Sequence, residues 1–358
     1  RVDRVSKYVE KADGGKIKCT LCPRYCALSD GQRGLCFVRG RRGDDIVLHT
    51  YGRSSGFCID PIEKKPLNHF LPGTPTLSFG TAGCNLTCQF CQNWDISKSK
   101  EMDRLQSSAM PEDIVAMAKS TGCRSLAYTY NDPIIFLEYA KDVALEAKRF
   151  DIKSVAVTAG YMTPKAREEF FSFIDATNVD LKGFDPKFYQ KTCGAELEVV
   201  LETLCYIHHH TNVWLELPTL LIPGQNDSEA ELNKLCGWVA ENLGLFTPIH
   251  FTSFHPEYKM THLESTPTST LLRAYSIAKS YGLKFVYTGN VHHESTSSTY
   301  CHHCGECLIA RDWFNLKSWN LVDSGKCKFC GTQCPGVFED DCGNWGDKRQ
   351  PLEISHLF

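Results

Sequence analysis

Between residues 76 and 289 the apolar positions change period with regularity. Short β-branched and aromatic runs occupy 76–81, 125–130, 153–158, 178–183, 213–220, 249–254 and 284–289, and between them lie stretches with apolar side chains every three or four residues. The stretches at 111–121, 134–150, 163–174, 196–210, 227–243 and 266–281 read as helices; the first opens with Pro111, Glu112 and Asp113 and stops at Gly122. Strand and helix alternating through six βα units predict a parallel sheet in an α/β fold. Right-handed crossovers place all the helices on one side of a curling sheet, giving a full or partial (βα) barrel with its site at the C-terminal strand ends. A doubly wound sheet is the alternative, because periodicity does not set strand order.

Residues 1–75 and 291–358 lack this rhythm. Rich in Gly, Pro and Cys, they read as two small metal-stapled attachments around a barrel spanning 76–290. Residues 1–75 carry 14 basic and 8 acidic groups, residues 300–358 only 6 and 8.

The chain holds 19 cysteines in 358 residues. Cys19, Cys22, Cys26 and Cys36 form one group, Cys84, Cys88 and Cys91 a second, and Cys301, Cys304, Cys327 and Cys330 a third; Cys58, Cys123, Cys193, Cys205 and Cys236 stand apart and read as buried small apolar residues. CxxC spacing in a chain of this length points to metal ligation in a reducing compartment, the cytoplasm, rather than to a secreted disulfide scaffold. With 42% apolar and 23% charged residues the composition is globular; a net charge of -3 offers no global attraction for nucleic acid or anionic lipid. No apolar run approaches the roughly 18 residues that a membrane span requires.

Directly after the first barrel strand comes Gly83-Cys84-Asn85-Leu86-Thr87-Cys88-Gln89-Phe90-Cys91-Gln92-Asn93-Trp94. Three thiolates on one loop can bind three corners of an iron–sulfur cube and leave one iron open. The competing assignment is a zinc site completed by a histidine such as His69.

The CxxxCxΦC pattern of Cys84, Cys88, Phe90 and Cys91 resembles the radical S-adenosylmethionine (SAM) superfamily. Residues 19–340 resemble, within it, the radical enzyme of the AmmeMemoRadiSam system, a relative of pyruvate formate-lyase activating enzymes. The resemblance is carried by Asp60-Pro61-Ile62-Glu63-Lys64-Lys65-Pro66-Leu67, Phe79-Gly80-Thr81-Ala82-Gly83, Tyr128-Thr129-Tyr130-Asn131-Asp132-Pro133, Asp180-Leu181-Lys182, Ile222-Pro223-Gly224-Gln225-Asn226-Asp227 and Phe254-His255-Pro256.

This resemblance implies an oxidoreductase with a 4Fe-4S cluster on Cys84, Cys88 and Cys91 and S-adenosylmethionine on the open iron. The nucleotide is cleaved reductively to a 5′-deoxyadenosyl radical that abstracts hydrogen from a small-molecule or protein substrate. It also implies a low-potential electron donor, flavodoxin or ferredoxin, and Memo-like and Amme-like partners. By the same resemblance Phe90 lies at the cofactor, Asn131 and Asp132 take the place of the edge that holds the methionine ammonium, and Thr158 ends the third strand. Lys182 is a candidate for the methionine carboxylate or for a plain pair with Asp180. His255 is a candidate for ribose, adenine or substrate, or a structural residue; Asn290 closes the last strand, where backbone approaches adenine.

Cys301-His302-His303-Cys304-Gly305 and Cys327-Lys328-Phe329-Cys330-Gly331, 22 residues apart, are paired CxxCG knuckles of a closed structural zinc or iron site. Trp313, Phe314 and Trp319 between them read as packing rather than a base-stacking platform. The N-terminal four cysteines fit zinc or a second iron–sulfur cluster, among Arg24, Arg33, Arg39, Arg41 and Arg42, read as a solvated or donor-docking face. Two other functions compete: activation of a glycyl radical enzyme, and a non-catalytic binding module in which every metal is structural.

Overall fold

The computed structural model describes residues 3–98 and 107–352. Seven parallel strands, Pro75–Phe79, Ser125–Tyr128, Lys153–Thr158, Ala176–Val179, Trp214–Leu221, Ile249–Ser253 and Val286–Gly289, lie side by side in chain order. Consecutive order excludes a doubly wound sheet, whose order reverses at a switch point. The first and seventh strands do not pair, so the barrel is partial. Its strands are buried almost throughout, as expected where both faces of a parallel sheet are covered.

Helices Pro111–Ser120, Leu137–Lys148, Pro164–Phe171, Leu197–His210, Glu229–Asn242 and Thr268–Ser280 fill the crossovers. Leu197, Val200, Leu201, Leu204 and Ile207 give the fourth its buried stripe. Ser228 accepts from Glu231 N at 3.2 Å, which starts the fifth helix later than the apolar period suggests. The 134–150 stretch splits into a 3-10 turn, Pro133–Phe136, and the helix proper. The fourth strand stops at Val179, so Asp180 and Lys182 lie beyond it. An unanticipated helical turn, Pro186–Phe188, runs into a π-helical one, Tyr189–Cys193.

Two antiparallel pairings extend the sheet. Phe57–Pro61 pairs with the first barrel strand, and Gln350–Leu352 pairs with Phe57–Pro61 on its outer side. The preceding residues build two small three-stranded sheets, and Tyr8, Ile17, Leu21, Leu28, Val38 and Ile46 of this segment join the barrel's own apolar core. Residues 299–327 form their own small sheets over a second core that includes Phe285 and Tyr287 of the barrel. Among the described residues no helix is long and apolar enough to cross a membrane.

Candidate active site

The loop after the first strand is anchored from several directions. Gly83 N donates to Ile96 O, Asn85 Nδ2 to Tyr161 O, Thr87 N to Cys193 O and Gln89 N to Thr192 O, at 3.1, 2.9, 2.9 and 3.0 Å. Lys98 Nζ reaches Leu86 O at 2.9 Å, Arg24 Nε reaches Asn85 O at 2.8 Å, and Lys259 N reaches Gln89 O at 3.0 Å. Gly83 has φ 75° and faces the Cys36 carbonyl so closely that any Cβ would collide with it. The three thiols are thus held by fixed backbone rather than by a free loop.

Their spacing distinguishes this loop from the C-terminal knuckles. Cys301 Sγ and Cys330 Sγ are 3.6 Å apart and Cys304 Sγ and Cys327 Sγ 3.7 Å, with all four within 4.8 Å of one another. A tetrahedral ion with bonds of about 2.3 Å places its sulfurs about 3.8 Å apart, so the knuckles fit one closed-shell metal ion. Cys84, Cys88 and Cys91 do not draw together in this way. Their wider triangle suits the corners of a polynuclear cluster. His69, the zinc alternative, is engaged elsewhere: its Nδ1 lies 2.7 Å from Pro335 O and its Nε2 2.6 Å from Tyr287 Oη.

Electrostatics favour thiolate at Cys88. The thiol of Cys193 donates to it and, with the Lys182 and Lys98 ammoniums, brings it below the ordinary thiol range against the opposing effect of burial. Cys193, a scattered buried cysteine by sequence, is therefore part of the site. Burial and the Asp132 carboxylate push Cys84 up to about 12. Cys91 Sγ lies 2.9 Å from Ser97 Oγ.

The strand ends converge behind the loop. Lys182 Nζ is 3.1 Å from Asp180 Oδ2 and 5.6 Å from the centre of the Phe90 ring, which stacks on Phe188 at 6.1 Å. Burial works against the Lys182 charge, yet Asp180 and the Cys88 and Cys193 thiols hold it well above the ordinary lysine range. Asn131 accepts from Thr81 N at 3.0 Å and donates to Thr81 Oγ1 and Ala82 O at 3.1 Å each, tying the second strand end to the approach of the cysteine loop. Asp132 accepts from Ile134 N at 3.1 Å, Ala159 N at 2.8 Å and Thr158 Oγ1 at 2.9 Å. Burial raises it above the usual carboxylate range against those bonds. It caps the turn after the second strand and bridges it to the third.

His255 is exposed on the loop after the sixth strand, 3.4 Å from Ser265 Oγ. The same loop stacks Tyr258 on Trp94 at 5.9 Å. Exposed Asn290, at φ 57°, donates to Ser253 O at 3.2 Å and joins the sixth and seventh strand ends. Cys19, Cys22, Cys26 and Cys36 line one cavity with Asn85 as a shared wall. Arg39 corrects the reading of the basic residues as one solvated or docking face: it is 1% exposed and bonds Ile135 O at 2.7 Å, Ser6 Oγ at 3.0 Å and the Glu138 carboxylate. Among the C-terminal aromatics Trp319 packs on Phe338, but Trp313 is 48% exposed and stacks on His292.

A cavity of about 860 Å³ opens beside the loop, lined by Cys58, Gln92, Asn93, Asp95, Tyr130 and Arg349 among others. Tyr130 Oη donates to Asp60 Oδ2 at 3.3 Å and Lys65 Nζ bonds the same oxygen at 2.7 Å, so the 60–67 stretch builds the wall behind it.

Comparison with known proteins matches residues 79–236 to the model described as the Radical SAM superfamily. The chain is 39% identical over 329 residues to Uncharacterized protein MJ0808 of Methanocaldococcus jannaschii, covering 92% of this chain and 98% of that protein. It is 22% identical over 232 residues to the isethionate sulfite-lyase activating enzyme of Oleidesulfovibrio alaskensis, covering 62% and 72%. The crystal structure of a radical SAM methyltransferase from Sphaerobacter thermophilus aligns at TM-score 0.49 with 13% identity, covering 80% of this chain and 76% of that one.

Proposed function

Because this chain belongs to the radical SAM superfamily, we propose that it cleaves S-adenosylmethionine reductively and uses the resulting radical to take hydrogen from a substrate bound beside the cysteine loop. Cys84, Cys88 and Cys91 would hold a 4Fe-4S cluster, which when bound would supply the one electron that reductive cleavage of S-adenosylmethionine requires. The carrying observation is the anchored three-thiol loop at the C-terminal end of the parallel strands, with Lys182 beside it.

In this reading Lys182 presents its ammonium to the methionine carboxylate while Asp180 keeps it charged and oriented. Asn131 fixes the approach to the loop. Asp132, already accepting from three groups of the barrel, offers its remaining lone pairs to the methionine ammonium and keeps Thr158 and Ala159 in register. Phe90, packed on Phe188, shields the cluster from water. His255 and Asn290 stand at the rim, where ribose and adenine extend. The 860 Å³ cavity, with amides, a carboxylate and a guanidinium on its wall, admits a polar substrate.

The electron donor in this scheme is a flavodoxin or ferredoxin, the compartment the reducing cytoplasm, and Memo-like and Amme-like proteins act on the same pathway. Zinc fits the C-terminal four-thiolate site. Glycyl radical enzyme activation is the second reading, supported by the named activating enzyme among the relatives. Anaerobic reconstitution, dithionite and S-adenosylmethionine test the main one: 5′-deoxyadenosine is expected from the native chain and none from Cys88→Ala. Product from that variant, or none from native protein with its cluster assembled, defeats the proposal. A glycine-centred radical raised on a partner chain selects the second reading.

A further inference from the structure

We propose that Cys19, Cys22, Cys26 and Cys36 hold a second, cubane iron–sulfur cluster, and that this cluster passes electrons to the one on Cys84, Cys88 and Cys91. The four cysteines line one cavity with Leu21, Leu28 and Ile135. Among the described residues they do not gather three or more ligand atoms within 4.8 Å of one another, as the C-terminal four do. Around a cubane core cysteine sulfurs sit roughly 6 Å apart, and a ring of four wider than a zinc site is what such a core requires. The Arg39 guanidinium also lines the cavity and is 1% exposed, a fixed cation beside a cluster whose thiolate ligands make it anionic. With four protein ligands no iron is left open, which assigns the site electron transfer rather than substrate activation.

The position of the site supplies the route. The Cys36 carbonyl lies against Gly83, which admits no side chain there, and Gly83 is bonded to Cys84. On the other side of Cys84, Asn85 forms part of the cavity wall. The backbone 83–85 is therefore the partition between the two clusters, and Arg24, itself on the N-terminal loop, holds it by bonding Asn85 O at 2.8 Å. Leu35 lines the cavity and is 46% exposed, so solvent and a docked donor lie one side chain away. The step moves one electron: a low-potential flavodoxin or ferredoxin reduces the second cluster, which is then oxidised as the first is reduced, with no bond or proton changing hands.

The cluster assignment is independent of the function proposed above, and only the relay rests on it. In a Cys84→Ala/Cys88→Ala/Cys91→Ala chain reconstituted without oxygen, about four iron and four sulfide per chain are expected, with a reduced-state EPR signal that S-adenosylmethionine leaves unchanged. One zinc at the N-terminal site and no acid-labile sulfide overturns the assignment. For the relay, Cys22→Ser/Cys26→Ser is mixed with reduced flavodoxin, and appearance of the remaining cluster's EPR signal is expected to slow roughly tenfold or more. Dithionite should still reduce that cluster at the native rate, which shows the chain is folded. Native-rate reduction by flavodoxin in this variant overturns the relay, as does equal slowing with both reductants. These readouts need no turnover, so a failure to cleave S-adenosylmethionine counts against the function alone.

Discussion

Lys182 and Asp180 pair at 3.1 Å just past the end of the fourth strand, with the lysine side chain 13% exposed and the carboxylate side chain 41% exposed. The asymmetry separates the two roles open to the lysine. A purely structural pair of this kind is worth about 1 kcal/mol or less, because solvent reaches one partner. A lysine that binds the methionine carboxylate contributes in the ligand's presence instead. Lys182→Met is expected to leave the melting temperature within a few degrees and to raise the KM for S-adenosylmethionine about tenfold or more, with Lys182→Arg recovering part of the loss. Unchanged KM in Lys182→Met refutes the assignment.

Cys193 gives a pH-dependent prediction. Its S–H bond, with the Lys182 and Lys98 ammoniums, holds Cys88 below the ordinary thiol value against the effect of burial and so favours the thiolate. Removing the donor moves Cys88 toward the ordinary thiol value of about 8.5. Cluster assembly in Cys193→Ala should therefore be several-fold slower than native at neutral pH and match it in alkaline buffer. Iron uptake followed at 410 nm across pH checks this, and a pH-independent defect disproves it.

The C-terminal four-thiolate centre should behave as a staple. Chelation, or Cys301→Ser, is expected to release one metal ion per chain and to lower the melting temperature markedly, since structural sites of this kind supply about 10 kcal/mol of folding free energy. Metal content by mass spectrometry together with calorimetry tests this, and unaltered melting after complete removal contradicts it.

Glu63 links folding to pH in the opposite sense from a salt-bridged acid. Burial raises it to about 7, despite the Arg311 charge and the bond from Gly73 N at 2.6 Å. A carboxyl raised in the folded chain takes up a proton on folding at mildly acidic pH. Its stabilising contribution is complete below the unfolded value of about 4.3 and is lost as pH climbs through about 7. Glu63→Gln keeps the acceptor for Gly73 without a charge. It should stabilise the chain by a few kcal/mol in mildly alkaline buffer and change little in mild acid. Denaturant titrations at the two pH values decide, and a gain confined to acid reverses the sign and the explanation.

The barrel was legible because parallel strands covered on both faces leave continuous apolar runs, and each helix between them keeps a one-sided stripe. The cysteine loop was legible because its ligands are local. Contacts from remote segments were not. Cys193 resembles any buried cysteine until the π-helical turn Tyr189–Cys193 brings it to Cys88. Arg39 sits in a basic run that reads as surface, and only packing against the turn before the second helix gives it Glu138. Sulfur separation, which distinguishes the N-terminal four from the C-terminal four, is likewise set by tertiary structure rather than by spacing.

The strand Gln350–Leu352 closes the outer edge of the sheet on Phe57–Pro61. During synthesis the earlier strand is made nearly three hundred residues before its cover. Until that later strand leaves the ribosome, a fully buried segment of the finished molecule waits with one row of amides and carbonyls unmatched, open to pairing with another nascent chain. Removing these few residues therefore bares that edge during biosynthesis and also takes Pro351 and Leu352 from the wall of the cavity beside the cysteine loop.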